Sequence, residues 1–292
     1  MTVICGYIGA GKMGGRMIER LLQAGNEVVL WGRSPDKLKP YEEAGASIAP
    51  TAAELCRRCD VVITSVSDTA AMRAVVFGPE GLAQGAGPHK ILVDMSTISP
   101  IETEEMAASL AEKTGMIWID APVSGGTGGA ANGTLAVMAG GPEDAIERVR
   151  PVLEPLCRNL TRVGDSGAGQ KAKMVNQTLV STIFVLLSEV LNFAEKIGID
   201  ASKIPQALNG GYGDSNLLQR EWPRMVEREF AVTGTLDTMM KDLAVVRLLA
   251  TDAAAPMPLN SLAGEMIRQR VHEGHGGEDM AALFKLYDRK ST

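Results

Sequence analysis

The sequence predicts an α/β N-terminal part built on a parallel sheet, followed by an all-helical C-terminal part. Three observations lead there. From residue 1 to about 163, short apolar and β-branched runs alternate with helical segments, the rhythm of a parallel sheet with helices on its faces. After Val163 the strand signal stops and only helical segments follow. The length of 292 residues exceeds one average domain, so two units are expected, 1–163 and 164–292.

The expected strands are Val3–Ile8, Glu27–Trp31, Val61–Val66, Ile91–Asp94, Met116–Asp120, Leu135–Ala139 and Leu160–Val163. Helices are expected between them at Gly11–Ala24, Pro35–Ala44, Thr51–Arg57, Thr69–Phe77, Pro100–Lys113 and Pro142–Leu156, several entered through Pro or Thr as helix starts prefer. In the second part a long helix runs from about Gly169 to Ile197 and stops at Gly198, a natural C-terminal stop. Shorter ones are expected at Lys203–Leu208, Asn216–Arg228, Thr235–Asp252, Asn260–Glu273 and Asp279–Tyr287.

Composition excludes several classes of function. A net charge of −6 with no compensating basic stripe argues against nucleic acid as a partner. The N-terminus enters its apolar run without a basic region or cleavage site, so the expected location is cytoplasmic. The charge-free stretch Met174 to Ser188 carries several polar residues and is shorter than the roughly 20 residues a spanning helix needs, so it reads as a buried helix, with no membrane partner. Among the cysteines only Cys56 and Cys59 have a suggestive spacing, and without a second ligand pair no metal is expected.

The first strand runs directly into Gly9-Ala10-Gly11-Lys12-Met13-Gly14 and then into an amphipathic helix. In that setting the pattern reads as a dinucleotide-binding turn. Gly9 permits the tight turn, Gly11 lets the backbone approach a pyrophosphate, and Gly14 lets the helix pack closely on the strand. The helix start then offers N–H groups and a partial positive charge to the diphosphate. The second strand ends Trp31-Gly32-Arg33-Ser34 with no carboxylate to hold a ribose 2′-hydroxyl. Arg33 and Ser34 suit a 2′-phosphate instead, so NADP(H) is preferred, with NAD(H) as the alternative. The competing reading makes Arg33 an ordinary exposed charge.

Three further segments carry polar groups. The run ending Asp94-Met95-Ser96-Thr97 delivers hydroxyls to the C-terminal end of a parallel strand, where open α/β sheets bind ligands. Thr97 is the candidate contact, and Ser96, Thr97 or Ser99 is equally a cap for the next helix. Asp120 to Gly129 is polar and glycine-rich, and its N–H groups with the Ser124 hydroxyl suit a substrate carboxylate; a plain flexible loop is the competing account. At the start of the long helix, Lys173 and Asn176 share one face in an apolar stretch. Partial burial there lowers a lysine's pKa toward neutrality, suiting it to exchange a proton with a substrate oxygen. Lys171 lies about 200° around the helix from Lys173, so the two cannot face one site.

These motifs resemble the β-hydroxyacid dehydrogenase family over nearly the whole chain. The resemblance rests on Gly6-Tyr7-Ile8-Gly9-Ala10-Gly11-Lys12-Met13-Gly14, Asp120 to Gly126, Gly169 through Lys173 to Asn176, and Lys241-Asp242-Leu243. It implies a Rossmann-like domain and an all-α C-terminal domain joined by a long helix, with association into homodimers or homotetramers. It further implies that Lys173 is the general acid/base and that Asn176 orients the substrate or the lysine. Ser124, Gly125 and Gly126 would hold the substrate carboxylate, and Thr97 and Lys241 would contact the cofactor. Lys171 stands where the family usually has a small apolar residue, and Gly32 where it usually has Asn or Asp. The implied reaction is hydride transfer between NADP(H) and a small 3-hydroxy acid or its semialdehyde. An imine reductase and a non-catalytic NADP-binding sensor or scaffold are the alternatives, the first disfavoured by Lys173 and the second by the trio Ser124, Lys173 and Asn176. For substrate specificity, the loop Gly210–Leu217 offers Tyr212, Asp214 and Ser215, with a simple connecting loop as the other reading.

Overall fold

A computed structural model describes residues 4–288. The chain separates into two compact units, one ending at Lys173 and the other beginning at Met174.

The first unit is a sheet of nine strands: β1 (Ile4–Ile8), β2 (Glu27–Trp31), β3 (Ser47–Ile48), β4 (Val61–Thr64), β5 (Ile91–Asp94), β6 (Ile117–Asp120), β7 (Val123–Ser124), β8 (Leu135–Gly140) and β9 (Cys157–Gly164). Their order is β3-β2-β1-β4-β5-β6-β8-β7, with β9 paired to β8. From β3 to β6 every pairing is parallel. The order reverses between β1 and β4, the switch point at which such sheets bind ligands beyond the strand ends. Beyond β6 the sheet is mixed: β8 runs antiparallel to β6 and β7, and β9 runs parallel to β8.

Alternation along each central strand feeds two apolar layers. Cys5, Tyr7, Val28, Leu30, Val61, Ile63, Ile91 and Val93 pack on one face, and Val29, Val62 and Leu92 on the other. The helices that close these faces are α1 (Lys12–Gln23), α2 (Lys39–Glu43), α3 (Ala52–Arg58), α4 (Thr69–Phe77), α5 (Pro100–Thr114), α6 (Gly126–Asn132) and α7 (Glu143–Leu153). Thr51, Asp68 and Ser99 cap α3, α4 and α5, accepting the N–H groups of Glu54, Ala71 and Glu102.

The long helix α8 (Ala168–Lys196) ends the first unit and opens the second. The division falls inside this helix because its first turn is bound to the sheet, as described below. The second unit continues with α9 (Ile204–Leu208), α10 (Asn216–Val226), α11 (Leu236–Asp252) and α12 (Pro258–Arg270), and ends in a 3₁₀ segment, Met280–Leu286. Its core gathers Leu187, Leu191, Trp222, Met225, Leu236, Ile267 and Phe284.

Some expectations need correction. Val3 lies outside the described residues. The helix expected over Pro35–Ala44 is a short 3₁₀ turn, Pro35–Lys37, followed by α2. The Gly-rich segment after Ser124 is a helix, α6, and not a loop. Apolar α8 is buried along one side only, since Val175, Leu179, Leu186, Val190 and Phe193 are each at least 40% exposed. By length and composition α8 alone among the described helices could cross a membrane, but its other side forms part of the second unit's core.

Candidate active site

At the end of β1 the chain turns through Gly9 with a positive φ of 113°. A Cβ on Gly9 would overlap the Ser65 carbonyl, and one on Gly14 would overlap the Gly9 carbonyl, so both positions demand glycine. Nothing lies within 4 Å of a Cβ placed on Gly11, which leaves open space in front of the turn. No side chain caps the start of α1 and no acidic residue occupies its first turn. Ala10, Lys12 and Met13 complete this turn and helix start. Backbone N–H groups and the positive helix end thus face a cradle that a diphosphate fits. Arg33 and Ser34 follow β2 with exposed side chains that make no hydrogen bond or ion pair among the described residues.

Past β5, the hydroxyls divide their work. Ser99 caps α5, and Ser96 Oγ accepts the Val66 N–H at 2.8 Å, so Thr97 is not the cap. Asp94 is fully buried and its Oδ1 accepts Thr64 Oγ1 and the Ser96 N–H, both at 3.0 Å. Past β6, Ser124 sits in β7 opposite Ala136 of β8. Gly125 and Gly126 both have positive φ, and Gly125 begins α6 with no side-chain cap.

Asp120, fully buried at the end of β6, binds the start of α8. Its Oδ1 accepts the Gly167 N–H at 2.8 Å and its Oδ2 the Gln170 N–H at 2.9 Å. A Cβ on Gly169 would overlap the carbonyls of Asp120 and Met138, so glycine lets the helix sit directly on the sheet. Burial pushes the Asp120 carboxyl up to about 6 against the pull of these N–H donors, and Asp94 adds like charge. One turn further, Lys173 is only 7% exposed and its ammonium donates to the Val123 carbonyl at 2.8 Å. Its amine therefore lies beside the Ser124 segment. Lys171 points elsewhere, in an exposed ion pair with Glu104 at 2.7 Å, in keeping with the helical spacing.

In the second unit, Asn176 Nδ2 donates to Gln177 Oε1 at 2.9 Å, and Gln177 Nε2 donates to Asp242 Oδ2 at 2.6 Å. Lys241 Nζ lies 3.2 Å from Asp242 Oδ1. A polar chain through two buried side chains thus links Asn176 to Lys241. Asp214 is spent on its own loop, accepting from the Gly210 N–H and Gln219, and Ser215 caps α10. Tyr212 is fully exposed. A cleft of about 460 Å³ between α11 and α12, lined by Met240, Leu243, Arg247 and Arg268 among others, contains none of the expected site residues. Cys56 and Cys59 are buried free thiols, pushed up by burial to about 11 and about 12, which makes them poor nucleophiles.

Residues 4–164 match the model described as the NAD binding domain of 6-phosphogluconate dehydrogenase. Residues 167–287 match that described as NAD-binding of NADP-dependent 3-hydroxyisobutyrate dehydrogenase. Over 285 residues the chain is 37% identical to 2-hydroxy-3-oxopropionate reductase of Escherichia coli (strain K12), covering 97% of this chain and 96% of that protein. The chain belongs to the β-hydroxyacid dehydrogenase family. A second relative in this family, 3-hydroxyisobutyrate dehydrogenase of Pseudomonas aeruginosa, is 34% identical over 97% of this chain and 98% of its own. A solved structure described as Psf3 in complex with NADP+ and 2-OPP superposes with a TM-score of 0.88 at 27% identity, covering 97% of this chain and 99% of that one. This β-hydroxyacid dehydrogenase is an NAD(P)-dependent oxidoreductase acting on CH–OH groups.

Four polar residues of this β-hydroxyacid dehydrogenase had no role in the sequence reading. Asp120 and Asp242 stood inside recognised motifs, and Gln170 between the glycine and the lysine of another. The signal they offered was a buried-type position occupied by a polar residue. Gln177, one residue beyond a motif, gave none.

Proposed function

We propose that this β-hydroxyacid dehydrogenase interconverts a small 3-hydroxy acid and its semialdehyde, prefers NADP(H), and uses Lys173 as general acid/base. The observation that carries the reading is the Lys173 amine, 7% exposed and donating to the carbonyl of Val123, the residue before Ser124. An ammonium out of bulk water exchanges its proton more readily than a solvated one. Bound NADPH supplies a hydride to the carbonyl carbon, and NADP+ accepts one in the reverse direction. In reduction Lys173 delivers its proton to the substrate oxygen, and in oxidation it removes the hydroxyl proton. Ser124 with the N–H groups of Gly125 and Gly126 holds the substrate carboxylate, and Asn176, on the same helix as Lys173, orients the reacting group. Thr97 and Lys241 contact the cofactor.

The NADP preference is supported by Arg33 and Ser34, unengaged at the end of β2, and by the NADP+ held by the structurally similar protein. An acidic group there would repel a 2′-phosphate. Changing Arg33→Ala is expected to erase most of the NADPH-over-NADH preference in kcat/KM; an unchanged ratio overturns this assignment. The two named relatives act on a semialdehyde and a 3-hydroxy acid by their names. An NADPH-oxidation screen with tartronate, methylmalonate and succinic semialdehydes, glyoxylate and a cyclic imine tests the substrate class. Turnover of the imine alone would reject it. Lys173→Ala is expected to bind NADPH but to lose about 100-fold or more in kcat.

Self-association is also proposed. On α8 the exposed residues Val175, Leu179, Leu186, Val190 and Phe193 recur at steps of three, four and seven, an apolar stripe that a second copy would cover.

A further inference from the structure

Gln170 lies at the junction of three segments and is fully buried. Its backbone N–H donates to Asp120 Oδ2 at 2.9 Å, tying it to the end of β6. Its side chain reaches the connection after β5, where Oε1 accepts the Ile98 N–H at 3.2 Å and Nε2 donates to the Ser96 carbonyl at 2.8 Å. Ser96 and Ile98 are the two neighbours of Thr97. The side-chain amide thus pairs with the backbone on both sides of Thr97 as a strand would, in a place where no strand runs. Three residues along the same helix, and so on the same face, Lys173 donates to the Val123 carbonyl. The start of α8 therefore carries two reaching side chains, one gripping the Thr97 segment and one placed beside Ser124.

We infer that Gln170 is a positioning residue, which sets Thr97 and the cofactor face it serves at a fixed distance from the Lys173 amine. The inference rests on the proposed roles of Lys173 and Thr97. Its physical content is that the side-chain amide ties the Thr97 segment directly to the helix turn that carries Lys173, in addition to the pairing of β5 with β6 at the strand ends. Loss of the amide leaves two buried backbone groups, the Ser96 carbonyl and the Ile98 N–H, without their partner, and the segment shifts to regain one. A displacement of about 1 Å between reacting groups costs on the order of 100-fold in rate.

Gln170→Met keeps the length of the side chain and removes both bonds. Gln170→Glu keeps the acceptor for Ile98 but, when ionised, cannot donate to the Ser96 carbonyl. The neighbouring Asp120, whose carboxyl already receives the Gln170 N–H, and Asp94 make an ionised group here costly, while Lys173 on the same face favours it. The protonated acid can both accept and donate. Single-turnover NADPH oxidation, NADPH affinity by fluorescence and thermal melting would be measured for both variants beside Lys173→Ala and the unaltered enzyme.

The expected result is a single-turnover rate lowered by about 10- to 100-fold in Gln170→Met, with NADPH affinity within about threefold. Gln170→Glu should regain rate as pH falls, along a limb absent from the unaltered enzyme, which also contains Asp120 and Asp94. A role confined to stability lowers the melting temperature and leaves the rate of the folded enzyme unchanged, and that outcome overturns the inference. Should Gln170→Met not fold, the pH limb of Gln170→Glu decides: a profile superimposable on that of the unaltered enzyme overturns it. Retained turnover in Lys173→Ala rejects the acid/base reading and the inference with it. An inactive Lys173→Ala beside a fully active Gln170→Met rejects the inference alone.

Discussion

Replacing Asp120 by Asn is expected to remove a pH dependence from the protein's stability and to lower its activity. The carboxyl is fully buried, and burial raises it from 3.8 to about 6. Between those values the folded protein holds a proton that the unfolded chain has released, so stability falls as pH rises through this window and levels off above it. A tenfold change in proton affinity corresponds to about 1.4 kcal/mol, so a rise of this size makes the ionised form cost up to about 3 kcal/mol relative to the neutral one. Asparagine has nearly the shape of the protonated acid and does not titrate. The unfolding free energy of the variant relative to the parent should therefore rise by up to about 3 kcal/mol from pH 4 to above pH 7, starting from a deficit of about 1–3 kcal/mol because the amide leaves one buried N–H group without an acceptor. Urea denaturation of both proteins across that range, at constant ionic strength, measures the difference. Activity should fall, because the amide presents a donor to one of the N–H groups of Gly167 and Gln170 that the carboxylate accepts. That loosens the turn carrying Lys173, and kcat is expected to fall about tenfold or more. A stability difference that is constant from pH 4 to pH 7 would refute the account of Asp120 as a carboxylate kept ionised against burial for the sake of the helix start.

Gly14→Ala places a methyl group against the Gly9 carbonyl, so α1 must move off β1; the expected outcome is loss of NADPH binding in a fluorescence titration together with a lowered melting temperature. Lys171→Ala removes only an exposed ion pair with Glu104 and should change stability by less than about 1 kcal/mol, with kcat unaltered; a large loss of kcat would place Lys171 in the chemistry. Phe193→Glu on the exposed side of α8 should convert an oligomer to monomers by light scattering, while a protein already monomeric before the change rejects self-association through that stripe.

Much of the fold was legible because its signals are local. A glycine turn between a strand and a helix declares itself within six residues, and central strands buried on both faces are nearly continuous apolar runs. Helix starts were marked by Thr51 and, among three hydroxyls offered, Ser99, whose capping bonds span three residues, while the Asp68 cap before Thr69 was missed. The two-residue strands β3 and β7 were missed, since neither is long enough to show a period. The antiparallel turn of the sheet after β6 was missed as well, because the direction of pairing is a property of two strands and is written in neither. In α6 four small residues after Gly125 read as a loop, yet the helix forms where it packs against α1 and β8.

By itself, then, the sequence determined the class of fold, the glycine turn and the lysine to examine, because each is a pattern within a few residues of chain. Only the tertiary structure decided what surrounds that lysine. The Val123 carbonyl lies 50 positions from Lys173, Asp120 47 positions from Gly167, and Ser96 74 positions from Gln170. Bonds across such separations form only when the sheet brings strand ends together and excludes water from them. Burial then makes each remaining polar group depend on a partner that no local pattern names.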